Sequence, residues 1–90
     1  MNKKAFSLFS FKPEIILQKG IIFFHLNLLD DAEKFLKKAV QMEYEKGKAY
    51  SYLAIIYLNK KDFKKSNIYF EKANELEPDF LKKLLKSLHK

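Results

Sequence analysis

Displaced by thirty-four residues, the chain falls on itself. Gly20 meets Ala54, Phe23 meets Tyr57, Leu29 meets Phe63 and Ala32 meets Ser66. Phe35, Leu36, Lys38 and Ala39 then meet Tyr69, Phe70, Lys72 and Ala73, and Met42 and Glu43 meet Leu76 and Glu77. Small residues fall on small ones, and aromatic residues on aromatic ones or Leu. A chain that repeats one unit of this length stacks its copies, because a single unit cannot bury its own apolar face.

The spacing inside each unit is helical. Ile16, Gly20 and Phe23, and Tyr50, Leu53, Ala54 and Tyr57, recur every three or four residues, as one face of a helix does. Phe35, Leu36, Ala39 and Met42, and Tyr69, Phe70, Ala73 and Leu76, mark a second helix in each unit. Asp62 is placed to cap a helix, Asp30 and Asp31 put negative charge at a helix start, and Pro78 with Asp79 opens a final one. The pattern predicts five helices, over 13–26, 30–44, 47–60, 63–76 and 79–89.

The second unit reads Tyr50, Leu53-Ala54, Tyr57, Ser66, Phe70, Ala73 and Pro78. The first reads Ile16, Lys19-Gly20, Phe23, Ala32, Leu36 and Ala39, with Tyr44 where the proline would fall. This order resembles the tetratricopeptide repeat (TPR) family: a large residue, Leu-Gly and Tyr on one helix, then small, aromatic and small residues on the next, closed by Pro. Lys19 and Tyr44 make the first unit the more degenerate. The resemblance covers residues 13 to 80 and implies an all-α fold, a solenoid of antiparallel helix pairs. Repeats over 13–46 and 47–78 would follow a Phe-rich arm, 1–12, and precede a capping helix, 79–90.

Resemblance to the family further implies a protein–protein interaction module, an adaptor or small chaperone, whose first helices line a concave groove for a partner's peptide or helix. Carried over residue by residue, that groove takes Glu14, Leu17, Ile21, Phe24 and His25 from the first unit. Lys48, Ser51, Tyr52, Ile55, Leu58 and Asn59 come from the second. Some members clamp a terminal carboxylate with Lys and Asn at these places; here Leu17, Ile21 and Tyr52 stand there, which argues against such a clamp. The first helix is apolar nearly all round, from Ile15 to Leu26, and a helix of that kind is covered on more than one side. The arm (Phe6, Leu8, Phe9, Phe11), a second copy of the chain, or an apolar segment of a separate protein are the candidates to cover it.

Charge supplies an alternative. The net charge of +7 rests on 18 basic residues, all Lys, and residues 80–90 hold four of them with no acid. The last helix sets Phe80, Leu81, Leu84, Leu85 and Leu88 against Lys82, Lys83, Lys86 and Lys90. A helix so divided can lie on an anionic membrane surface or bind nucleic acid, although the lack of Arg weighs against specific nucleic-acid readout. With no Cys, only two His and no phosphate-binding loop, the chain offers no metal site, cofactor site or catalytic constellation, and no small-molecule substrate is expected. Lys12-Pro13 cuts short the apolar run after Lys3 and Lys4, so neither a signal peptide nor a membrane span is expected, and the cytoplasm is the expected compartment. Two repeats fall short of the three a stable stack usually needs, which points to a homo-oligomer or to support from a partner.

Overall fold

The computed structural model describes residues 12–88, so the arm up to Phe11, with Phe6, Leu8 and Phe9, and His89 and Lys90 lie outside the described residues. Five helices follow one another: α1 (Pro13–His25), α2 (Leu29–Gln41), α3 (Lys46–Asn59), α4 (Phe63–Leu76) and α5 (Pro78–Leu88). Among the described residues there is no strand. The fold is all-α, a stack of helical hairpins.

The second helix stops three residues before its expected end. Glu43 and Glu45 take φ of 56° and 46°, and a left-handed backbone cannot continue a right-handed helix. The last helix begins at Pro78 rather than Asp79, since proline's fixed φ and missing N–H suit a first helical position. Asp62 caps α4 as expected: its Oδ1 accepts the Lys65 N–H at 3.3 Å.

The thirty-four-residue period is written into the backbone as well as the side chains. After α1, the N–H groups of Leu26, Asn27 and Leu28 donate to the carbonyls of Ile22, Phe24 and Phe23. After α3, those of Lys60, Lys61 and Asp62 donate to Ile56, Leu58 and Tyr57. The middle residue is left-handed in both turns, Asn27 at φ 64° and Lys61 at φ 65°. This closing pattern satisfies the last helical carbonyls and turns the chain back on itself. Phe23 stacks on Phe35 and Tyr57 on Tyr69, each pair with ring centroids 5.5 Å apart.

The helices pack chiefly as the pairs α1/α2 and α3/α4; α2 lies along α3, and α5 closes over α3 and α4. The third helix sits at the centre, buried at residues 51–57 and at Gly47 and Ala49. Leu36, Leu53 and Ile56 are fully enclosed. Ser66, on α4, is buried without penalty because its hydroxyl donates to the Ala54 carbonyl at 2.9 Å.

Candidate partner-binding surface

The first helix of each pair and the closing helix meet along one side of the stack, α3 touching both α1 and α5. Aromatic rings cross this side in a row. His25 lies 5.3 Å from Phe24, Phe24 lies 5.0 Å from Tyr52, and Tyr52 lies 5.9 Å from Phe80 of α5. The first two contacts are edge-on, the geometry that ring quadrupoles favour. The Lys48 ammonium stands 5.6 Å above the Phe80 ring, within cation–π range. Burial pushes the Tyr52 phenol pKa upward.

The groove residues expected from sequence divide into three groups. Leu17, Phe24, Ser51, Tyr52 and Ile55 are buried. Ile21 and Lys48 are half-buried, while Glu14, His25, Leu58 and Asn59 are exposed. Ser51 serves its own helix, its hydroxyl donating to the Gly47 carbonyl at 2.8 Å. Of these residues Glu14, His25, Leu58 and Asn59 are therefore the ones open to solvent, whereas Phe24, Tyr52 and Ile55 are covered. Sequence spacing did not supply Phe80, which ends the aromatic row; its position was read only as part of the last helix's apolar side.

That apolar side is largely spent within the stack. Leu81 and Leu84 are buried, leaving Leu85 and Leu88 about two-fifths exposed beside Lys82, Lys83 and Lys86.

A polar joint between the repeats also went unread. The Glu33 carboxylate of α2 accepts from the Tyr57 hydroxyl and from Lys60 Nζ at 2.8 Å, and pairs with Lys37 Nζ at 2.9 Å. Lys60 also reaches Asp30 Oδ1 at 2.7 Å. Burial raises the Glu33 pKa, but the hydrogen bonds from Lys60, Tyr57 and Lys37 outweigh it and hold the carboxyl down at about 2. The available sequence signal was the surplus of acids over residues 30–45 facing a Lys-rich second half.

Among the described residues no helix is long and apolar enough to cross a membrane, and no group of His, Asp and Glu is arranged to hold a metal. Compared with known families, residues 13–46 and 47–80 each match the tetratricopeptide repeat. No curated protein and no solved structure matches the chain.

Proposed function

The chain belongs to the tetratricopeptide repeat family, a family of protein-interaction repeats, and from that premise we propose that it acts as an adaptor or small chaperone. Its client is an apolar segment or amphipathic helix with acidic flanks. The observation that carries this reading is the row of rings from His25 through Phe24 and Tyr52 to Phe80, crossing three helices, one of which, α3, also exposes Leu58. A rigid aromatic floor takes up apolar side chains with little loss of its own conformational freedom. Lys48 beside the row and the exposed Lys82, Lys83 and Lys86 of α5 favour carboxylates at the ends of the bound segment.

A displayed library of random peptides tests the proposal directly. Wild-type protein is expected to enrich peptides with apolar residues three or four apart and Asp or Glu outside them. Leu58→Glu is expected to weaken those peptides about tenfold or more, about 1.4 kcal/mol, with unchanged helicity because Leu58 is exposed. The proposal fails if no such peptide is enriched, or if Leu58→Glu together with His25→Glu binds as wild type does. Loss of binding only on Lys82→Glu/Lys86→Glu would move the site to α5 and equally overturn it.

A further inference from the structure

Where the two repeats meet, on a different face of α3 from the aromatic row, lies a cavity of about 270 Å³. Tyr50 and Leu53 of α3 line it, whereas the row takes Tyr52 from the same helix. The α2 helix contributes Lys37, Val40 and Gln41, and α4 contributes Tyr69 and Lys72. Leu53 is fully enclosed, and Val40, Tyr50 and Tyr69 are half-buried. Lys37, Gln41 and Lys72 are exposed. The cavity is therefore apolar and aromatic within and polar at its opening.

Its volume and lining limit what it can hold. A dry cavity of about 150 Å³ takes a benzene ring, and sites for drug-sized ligands start at about 300 Å³. One ring with a short substituent lies between these bounds. The Tyr50 and Tyr69 rings, 5.7 Å apart and tilted by 30°, offer aromatic surface that a third ring meets favourably in an offset or edge-on contact. Charge selects the substituent. Lys72 Nζ stands 5.3 Å from the centre of the Tyr50 ring and pairs with no carboxylate among the described residues. Lys37 adds less, because Glu33 already holds it at 2.9 Å. Gln41 brings an amide that can donate, and no acidic residue lines the cavity. The positive opening belongs to this junction alone: thirty-four residues on, Glu71 and Glu75 stand in the places of Lys37 and Gln41.

We propose that this cavity binds a small aromatic carboxylate, its ring against Tyr50 and Tyr69 over Leu53 and its carboxylate held by Lys72 and the Gln41 amide. Such a ligand touches α2 of the first repeat and α3 and α4 of the second. It braces one repeat against the other and raises the stability of the stack by mass action, leaving the aromatic row free.

Phenylacetate titrated into the full-length chain, with backbone amide shifts followed by NMR, tests the proposal. Saturable shifts are expected, largest around Val40, Tyr50, Leu53 and Tyr69. Phenylacetamide, which keeps the ring without the charge, and acetate, which keeps the charge without the ring, are each expected to bind about tenfold more weakly or worse. Lys72→Gln is expected to weaken phenylacetate by about tenfold, with helicity unchanged because the side chain is exposed. Val40→Phe fills the cavity and is expected to abolish binding; should it disturb the fold, Lys72→Gln still decides. Shifts that never saturate, or that centre on His25, Tyr52 and Phe80, would overturn the proposal. So would acetate binding as tightly as phenylacetate, which would mean a surface ion contact only. Equal binding of phenylacetamide, or an unchanged Kd in Lys72→Gln, would overturn the assigned anion site.

Discussion

Gly20 decides how near α1 comes to α2. A Cβ added there would lie 2.9 Å from Leu36 Cγ, 3.0 Å from its Cδ2 and 3.3 Å from its backbone nitrogen, and Leu36 is fully buried with nowhere to retreat. Ala54 takes the same place in the second pair, where the half-buried Phe70 stands in Leu36's position. Gly20→Ala gains about 1 kcal/mol of helix propensity and loses about 1–3 kcal/mol to overpacking. The expected net loss is about 1 kcal/mol, a fall of roughly 4–8 °C in Tm for a domain of this size. A thermal melt followed by circular dichroism reads it, and a higher Tm would mean that the pair can open without cost. This close approach was legible in the sequence, because a small residue recurs at one point of the period. The burial of Tyr52 was not: spacing tells which residues share a helix face, but not that Phe24 and Phe80 arrive from two other helices to cover it.

At the scale of elements, helix type and order were legible because caps and breakers act locally: Pro13, Asp62 and Pro78 each work within one turn. The early end of α2 was not, since Glu43 and Glu45 are no obvious left-handed residues; there the N–H groups of Met42, Glu43 and Tyr44 donate to the carbonyls of Lys38, Val40 and Ala39 and close the helix. How one pair sits on the next was also hidden, and Glu33 carries much of that joint. Its side chain is only 19% exposed, so the pairing is less screened than a surface ion pair, whereas the arm from Lys60 to the nearly fully exposed Asp30 contributes little. The contact with Tyr57, then that with Glu33, raises the Lys37 pKa; Asp30 and then Glu33 raise that of Lys60. A Glu33 carboxyl at about 2 in the fold, against an ordinary 4.5, stabilises the native state fully above pH 4.5. That contribution is lost as the pH falls from 4.5 towards 2, and it amounts to about 1–3 kcal/mol. Glu33→Gln is expected to be less stable at pH 7 and to have a flatter melting-temperature profile across this window. Profiles for wild type and variant that run parallel through the acid range would remove Glu33 from the joint.

Across the whole molecule, stability is expected to be graded because the helices differ in how many sides are covered. The central α3 is flanked by α1, α2, α4 and α5, and seven consecutive residues of it are buried. Among its described residues α5 buries only Leu81 and Leu84, and it contacts its neighbours over a short length. In a stack whose units touch only adjacent ones, the ends open first and the middle last. Native-state hydrogen exchange is therefore expected to find the slowest amides in α3, at the free energy of global unfolding, and the fastest helical amides in α5. The proposed binding surface spans this gradient: Phe24 and Tyr52 lie on the helices expected to be better held, and Phe80 on the one expected to be least held. A ligand seated across the row must hold α5 against α3, so an enriched peptide is expected to slow exchange in α5 more than anywhere else. Equal protection in all five helices of the free protein would make the stack one cooperative unit and remove any such local response to binding.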